Sequence, residues 1–201
     1  MTNELAAWVR SRVTAPATLD EELFSESGQA DLVALLAGAV RDVASAVADH
    51  VTPGILVSYP VLENCLDTLG TQWQDMSQEL GLRLKSDLPE LVRCFNGGQT
   101  LGRVVHIHGE TGDRHRHGRQ VITLQFESGL SIVYKPRDVG PDEAFGEFLN
   151  WLTESASLPA YRTPAIIRCA GYGWTEFIEA RPARTTSHQE MLWRRIGGLL
   201  A

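Results

Sequence analysis

The stretch QVITLQFESGLSIVYKPR, Gln120–Arg137, decides the fold class because it reads as two β-strands joined by a tight turn. Both runs are rich in β-branched and aromatic residues, which favour strands. Ser128 and Gly129 between the runs predict a two-residue hairpin turn. The stretch therefore predicts an antiparallel hairpin.

Lys135 lies near the end of the second predicted strand. With a two-residue turn, Lys135 is opposite Ile122 and Val133 is opposite Leu124, and opposite residues of an antiparallel pair share a face. This register predicts a lysine at the rim of an otherwise apolar face, whereas a slip of one residue moves it to the other face. Protein kinases hold nucleotide phosphates with a lysine placed in this way.

Two interpretations of this lysine remain open. In the kinase-like one, a carboxylate of the following helix pairs with Lys135, and that helix offers Glu143 and Glu147. In the other, Lys135 extends its ammonium group into solvent from the end of a strand, and the glutamates are solvated.

The residues before the hairpin predict helices. Apolar residues recur at helical spacing from Asp31, a candidate helix cap, to about Val51. Two more helices are predicted over Tyr59–Trp73 and Met76–Phe95. A strand in LGRVVHIHG precedes the hairpin, and the helix DEAFGEFLNWLTE and strands in AIIRCAG and WTEFIEA follow it. This order of elements predicts an α+β fold.

Three segments are predicted along the chain. A helical subdomain covers 1–98, an antiparallel sheet with one helix covers 99–180, and 181–201 begins a further unit. Residues of the last predicted helix form an apolar stripe that nothing later in the sequence covers: Leu192, Ile196, Leu199 and Leu200. This stripe predicts that the chain is the first part of a larger unit.

Composition excludes several classes of protein. The formal net charge of -7 argues against a general nucleic-acid binder. The three cysteines form no C-x-x-C pair, so no zinc site is expected, and free thiols suit a reducing cytoplasm. The N-terminus lacks the pattern of a signal peptide, and no apolar run approaches the ~18 residues of a membrane span.

The polar cluster GDRHRHGR, Gly112–Arg119, immediately precedes the hairpin and admits three interpretations. Its H-x-H spacing could chelate a metal on a strand. Asp113 beside His115 could tune an imidazole as a general acid or base, with the neighbouring arginines binding a phosphate. The cluster could also be a solvated charged loop.

Taken together, these motifs resemble the dehydratase domain of class II lanthipeptide synthetases, the LanM-type enzymes. The family pattern G-D-x-H-x-x-G-x-x-V, then F-x-S-G-x-x-x-V-Y-K-P-R, then G-Y-G-W-x-E-F is filled here at every position. The segments SYPVLENCL and ELGLRLKSDLPELVRCF are similar to the helical region of the family before these motifs. The resemblance covers roughly Leu35 to Ala201.

The resemblance implies a lipid-kinase-like core that phosphorylates Ser and Thr of a precursor peptide with ATP and Mg, and then eliminates the phosphate. It assigns Asp113 and His115 to elimination and Lys135 to the nucleotide phosphates, all three as catalytic residues. With the kinase-like reading of the hairpin, the expected cofactor-binding residues are Lys135, Val133, Arg137 and Glu147. The segment from Tyr172 to Phe177 would approach the hinge between two lobes.

The 201 residues lack the D-x-H-x-x-N segment that this family uses for phosphoryl transfer. The resemblance therefore implies that the second, C-terminal lobe, with its Mg ligands, is missing or is supplied by a partner chain, and that this chain alone is inert. A lipid- or small-molecule phosphotransferase on the same core is an alternative, as is a degenerate, non-enzymatic peptide-binding remnant.

Overall fold

The computed structural model of the chain describes residues 3–13, 20–47, 54–109, 118–156, 161–180 and 182–200. Helices come first and a five-stranded sheet follows, which confirms the predicted α+β class. The elements in chain order are α1 Asn3–Val13, α2 Glu26–Val47, α3 Ile55–Ser58, α4 Pro60–Phe95, β1 Val104–Gly109, β2 Ile122–Phe126, β3 Ser131–Lys135, α5 Gly140–Ala156, β4 Ile166–Cys169, β5 Tyr172–Glu176 and α6 Thr186–Leu200.

The sheet has the strand order β1-β2-β3-β5-β4, and every neighbouring pair is antiparallel. One face forms part of a continuous apolar core with helices α1, α2 and α4. The sheet contributes fully buried side chains to this core, including Ile122, Leu124, Phe126, Ile132, Tyr134 and Trp174. The boundaries predicted at residues 98 and 180 stay predictions.

The predicted hairpin forms, but its predicted register is wrong by one residue. The loop has three residues, because the Phe126 amide donates to the Leu130 carbonyl at 2.9 Å and Gly129 adopts φ +83°. That left-handed conformation closes a turn in which glycine is unstrained. Ile122 therefore pairs with Tyr134 and not with Lys135. Lys135 and Val133 consequently lie on the face opposite to the helical core.

Helix α4 is one continuous element of 36 residues, where the sequence predicted two helices with a break after Trp73. The helix continues because Trp73, Met76 and Leu80 are all buried in the same core. Pro89 lies inside it. This single helix spans the core face of the sheet and brings residues far apart along α4 to different strands.

Helix α2 is joined to the edge strand β1. It begins at Glu26, so the prediction that Asp31 caps it is wrong. Asp31 Oδ2 instead accepts a hydrogen bond from the Ile107 amide at 3.0 Å and lies 3.1 Å from His106 Nδ1. At the start of α2, a Cβ on Gly28 would lie 2.5 Å from the Val104 carbonyl oxygen, so only glycine allows this approach.

Helix α6 forms as predicted and carries exposed apolar residues. Leu192 is 47% exposed and Trp193 is 68% exposed, while Ile196 is partly buried. The side chains of Leu199 and Leu200, which complete the predicted stripe, lie outside the described residues. Among the helices in the described ranges, none is long and apolar enough to cross a membrane.

Candidate functional site

Lys135 projects from the face of the sheet that does not meet α2 and α4. Strand register places Val133 and Lys135 of β3 beside Thr175 and Gly173 of β5. Val133 and Thr175 are buried, whereas the Lys135 side chain keeps 21% of its surface exposed. The lysine therefore lies beside the buried residues Val133 and Thr175, and its ammonium group is partly accessible to solvent.

A cavity of about 180 Å³ opens beside this lysine, between α5 and strands β3, β4 and β5. Its polar walls include Lys135, Asp142, Arg162 and Thr175, and its apolar walls include Phe145, Leu149, Pro164 and Ile166. Pockets that enclose a drug-sized ligand measure at least about 300 Å³. The described walls therefore fit one part of a nucleotide, such as a phosphate group or a ring, and not the whole molecule.

Two cations share one carboxylate, Asp142, which lines this cavity together with Lys135. Lys135 Nζ donates to Asp142 Oδ1 at 2.8 Å, and Arg137 Nη1 donates to Asp142 Oδ2 at 2.7 Å. The hydrogen bond from Arg137, followed by that from Lys135, lowers the pKa of Asp142 below its usual value. The three groups thus carry one net positive charge, which favours a phosphate ligand.

The carboxylate partner of Lys135 is a residue that sequence reasoning missed. The kinase-like interpretation offered Glu143 and Glu147, but the ion pair is formed by Asp142. Glu143 lies 3.8 Å from Arg168, and Glu147 is exposed on α5 without an ion pair to Lys135. The pairing with Glu143 or Glu147 is wrong, and the cofactor-binding role of Glu147 stays a prediction that no contact within the described ranges supports.

The start of α5 is held by Asp138, which fixes the position of Asp142. Asp138 Oδ1 accepts from the Gly140 amide at 2.9 Å and from Arg168 Nε at 3.1 Å. The Gly140 hydrogen bond, with help from Arg168, lowers the pKa of Asp138. An ionised carboxylate at this end of the helix is favoured by the free N–H groups of the first turn.

Asp113 and His115, the two predicted elimination residues, lie outside the described residues, as does the whole segment 110–117. The structure describes both flanks of this segment, at Gly109 and at Gly118. Arg119, directly after it, forms two hydrogen bonds to Glu79 of α4. Among the described residues, no cluster of three His, Cys, Asp or Glu side chains could hold a metal ion.

The tyrosine and tryptophan of the G-Y-G-W motif bind a single carboxylate of α4. The Tyr172 hydroxyl and Trp174 Nε1 each donate to Asp87 Oδ2 at 2.8 Å. Cys169 Sγ lies 3.7 Å from the same oxygen. These aromatic residues therefore join the sheet to the helical layer, while the hinge position implied for 172–177 stays a prediction.

Asp87 was not predicted from the sequence, although its spacing along α4 contains a signal. Asp87 stands on the same helical stripe as Leu80, Leu84 and Leu91, which are fully buried. A carboxylate on a buried stripe needs a hydrogen-bond donor, and Tyr and Trp side chains are common donors. The position of Asp87 was thus a signal for a hydrogen-bond donor in the facing layer, although not for which one.

Comparison with known protein families shows the family to which this chain belongs. A family model described as a domain of unknown function (DUF4135) matches residues 59–201, most of the chain. The chain belongs to the DUF4135 family. No curated protein matches this DUF4135 chain. The family is associated with lanthipeptide synthetase-like proteins.

The DUF4135 match begins at Tyr59, directly before α4, and runs to the last residue. It therefore includes Lys135 with Asp142, and Asp87 with Tyr172 and Trp174. Helices α1, α2 and α3 precede the matched residues.

Proposed function

We propose that this DUF4135 domain is the nucleotide-side part of a class II, LanM-type lanthipeptide dehydratase. It acts with ATP and Mg on Ser and Thr residues of a precursor peptide in the cytoplasm. The observation that carries the proposal is the Lys135–Asp142 ion pair in the wall of a cavity of about 180 Å³. It is supported by the association of the family with lanthipeptide synthetase-like proteins.

The reaction has two steps, and the phosphate group added in the first step is the leaving group of the second. First, the Ser or Thr hydroxyl oxygen attacks the γ-phosphorus of ATP, the bond to the β-phosphate oxygen breaks, ADP leaves, and the hydroxyl proton passes to a base. Second, a base removes the proton from the α-carbon, the bond from the β-carbon to oxygen breaks, and phosphate leaves with the bonding electrons. The product is a dehydroamino acid, and phosphorylation is needed because hydroxide is a poor leaving group.

In the first step, Lys135 and Arg137 would contact phosphate oxygens of the nucleotide. Both cations are positioned by Asp142, and the net positive charge of the three groups stabilises the charge that builds up during phosphoryl transfer. Val133, which is buried two residues before Lys135 on the same face, would contribute apolar surface to the nucleotide site.

In the second step, Asp113 and His115 would carry the elimination, as the resemblance implies. The Asp113 carboxylate would orient the His115 imidazole as a general acid or base. A histidine with an unperturbed pKa of ~6.5 is suited to proton transfer near neutral pH. Arg119, just beyond these residues, is bound to Glu79 by two hydrogen bonds.

The described residues fit the phosphate part of ATP but do not fit Mg. Mg²⁺ prefers several oxygen ligands in an octahedral arrangement. Asp142 is the one carboxylate lining the described cavity, and both of its oxygens accept hydrogen bonds from cations. We therefore assign the Mg ligands to a second lobe, joined to this domain or supplied by a partner chain.

The test uses this domain joined to the second lobe of a related synthetase, with ATP, Mg and a Ser/Thr-rich precursor peptide. Mass spectrometry follows the gain of phosphate and then the loss of water. Lys135→Ala should give little phosphopeptide yet still eliminate phosphate from a phosphopeptide supplied ready-made. Asp113→Ala or His115→Ala should stop the reaction at the phosphopeptide.

Two other results would contradict the proposal. If all three variants lose phosphorylation alike, Asp113 and His115 belong to the nucleotide site or to the fold. If phosphate is transferred to lipids or small molecules but not to the peptide, the domain is part of a different phosphotransferase.

A further inference from the structure

The hydroxyl group of Thr175 is buried without a hydrogen-bond partner. Thr175 lies on strand β5 and is only 4% exposed. Within the part of the chain that the structure describes, its Oγ1 atom neither donates nor accepts a hydrogen bond. Buried polar groups are nearly always hydrogen-bonded, because an unpaired one loses its bonds to water without replacement. The unpaired hydroxyl therefore indicates a site for a hydrogen-bonding group from outside the chain.

Thr175 belongs to the wall of the cavity between α5 and the sheet. Strand register places it beside Val133 of β3 and Ile166 of β4. Residues directly opposite each other on antiparallel strands share a face, so all three lie on the side of the sheet that does not meet α2 and α4. Because Thr175 and Ile166 both line the cavity, a molecule that enters it can reach the free hydroxyl.

The charged side chains of the cavity wall already have partners. Lys135 is paired with Asp142, and Arg162 donates a hydrogen bond to the Glu176 carboxylate. Among the buried groups of the described wall, the Thr175 hydroxyl is thus the one with unused hydrogen-bonding capacity. A hydroxyl can both donate and accept, and it carries no charge. The partner that suits it is an uncharged polar group.

The remaining walls of the cavity are mostly apolar and fit one aromatic ring system. Phe145 and Leu149 of α5 line it together with Pro164 and Ile166. A cavity of about 150 Å³ lined by Leu, Ile and Phe side chains is large enough to bind benzene. The volume of about 180 Å³ therefore accommodates a small planar ring with a hydrogen-bonding group on its edge.

Gly146 keeps space free beside α5 that the fold does not require. It lies in the interior of α5 and in the cavity wall, although glycine is less favourable than alanine inside a helix. A Cβ at this position would lie 3.6 Å from atoms of Thr163, which is an ordinary van der Waals distance. The packing of the chain therefore tolerates alanine here, and the glycine serves to enlarge the cavity.

We propose that this cavity binds an uncharged aromatic ring whose polar edge group forms a hydrogen bond with Thr175. Thr175 is then a specificity-determining residue, since its hydroxyl selects rings that carry a donor or an acceptor. Two sources present this chemistry: the base of a nucleotide whose phosphates contact Lys135, and a separate small aromatic molecule. The first source rests on the proposed function, and the second does not.

The test titrates two neutral probes, 4-methylphenol and toluene, into the 201-residue chain and measures their dissociation constants by ligand-observed NMR. The probes share a ring and a methyl group and differ by one hydroxyl. Thr175→Val keeps the shape of the side chain and removes its hydroxyl. It should raise the ratio of the dissociation constants, 4-methylphenol over toluene, by about 3- to 10-fold, the effect of one neutral hydrogen bond. Absence of binding by both probes, or an unchanged ratio, would overturn the proposal.

The matched control is Thr123→Val. Thr123 is also buried, at 7% exposure, and pairs with Val133 on the same face of the sheet, but it does not line the cavity. This variant should leave the ratio as in the wild type, and an equal shift in both variants would contradict the assignment to Thr175. Without a ligand, Thr175→Val should not lower the midpoint of thermal unfolding. A lower midpoint would mean that the hydroxyl supports the fold and is not reserved for a ligand.

A second variant places the ring inside the cavity by a different route. Gly146→Ala should raise the midpoint of thermal unfolding by about 1–4 °C, because alanine favours the helix. It should also weaken the binding of both probes by about 5-fold, because the added methyl group occupies the space of the ring. Unchanged binding of both probes would show that the ring binds elsewhere and would overturn the proposal.

Competition with three further compounds identifies the source of the ring. If it is the base of a nucleotide, adenosine and ATP should displace 4-methylphenol, whereas tripolyphosphate should not. If it belongs to a separate molecule, 4-methylphenol should bind together with ATP. Displacement by tripolyphosphate as strong as that by ATP would make the cavity a phosphate site and overturn the proposal. Failure of ATP to bind at all would count against the proposed function alone, because the two probes contain no phosphate.

Discussion

The Nζ atom of Lys135 lies 2.8 Å from Oδ1 of Asp142, so strand β3 and the first turn of α5 meet in an ion pair. Both side chains are more than three-quarters buried, at 21% and 23% exposure. Because Arg137 shares the carboxylate, removing Asp142 would leave two cations together at the edge of the cavity. Loss of the Asp142 carboxylate should therefore destabilise the fold.

Asp142→Asn should lower the free energy of unfolding by about 1 kcal/mol at neutral pH, a value reduced for partial exposure to solvent. The matched control is Glu147→Gln on the same helix, where the structure has no ion pair to Lys135. Its effect should stay within about 0.5 kcal/mol, as for ordinary surface changes. Urea unfolding of the three proteins checks the pair, and a larger loss in the Glu147 variant would make Glu147 the true partner.

The difference in unfolding free energy between the wild type and Asp142→Asn should depend on pH. The pKa of Asp142 is lowered by Arg137 and Lys135, so its stabilising effect is present above the unfolded value of about 3.9. The effect is lost as the pH falls through the lower, folded-state pKa. The difference in unfolding free energy between the wild type and Asp142→Asn should therefore shrink below about pH 4. A constant difference down to pH 2.5 would mean that the ion pair contributes nothing.

Asp87→Ala should destabilise the domain by about 1–3 kcal/mol, because it leaves the partly buried donors of Tyr172 and Trp174 without this acceptor. Asp75→Ala is the control, since Asp75 is exposed on the same helix. Thermal or urea unfolding measures both. A small effect in the Asp87 variant would show that water or another group replaces the carboxylate.

High pH should weaken the fold through Tyr172. Burial and then the hydrogen bond to Asp87 raise the pKa of Tyr172 above its usual value. The folded state therefore holds this proton more tightly than the unfolded state, and the free energy of unfolding falls as the pH rises above about 10. Tyr172→Phe should reduce this alkaline loss, whereas Tyr59→Phe, which changes an exposed ring, should not. Equal slopes in both variants between pH 9 and 11.5 would contradict the assignment.

The sequence was sufficient to predict the five strands and helices α2, α5 and α6, but not α1, α3, the continuity of α4 or the register of the central hairpin. Ser128 and Gly129 suit both a two-residue and a three-residue loop, because Gly can take the left-handed conformation in either one. The choice is made by burial, since the three-residue loop turns Ile122, Leu124, Tyr134 and Trp174 toward the helices together. Whether Lys135 faces the core or the cavity was therefore decided by tertiary packing.

The lysine of the candidate site could be predicted from the sequence, but the residues that bind this lysine could not. Lys135 stands in a recognisable motif, but its carboxylate depends on where α5 starts, which the Asp138 cap and the Arg168 contact determine. Asp87 and Glu79 form hydrogen bonds to residues far away along the chain. Asp87 is 85 residues from Tyr172, and Glu79 is 40 residues from Arg119. Contacts over such distances along the chain leave no local pattern beyond the helical stripe on which each residue stands.

The central claim is that Lys135 binds the phosphates of ATP, and the two lysines of the chain allow a direct test. An acyl phosphate ester of ATP transfers its acyl group to a lysine amine held near the phosphates, with release of ATP. Lys85 is the internal control, because it is also ion-paired, to Asp20 at 2.7 Å, but is 62% exposed and therefore more accessible to random acylation than Lys135. The account predicts that Lys135 is acylated faster than Lys85, and that excess ATP with Mg suppresses the modification of Lys135 alone. Faster modification of Lys85, or modification of Lys135 that ATP does not suppress, would contradict it.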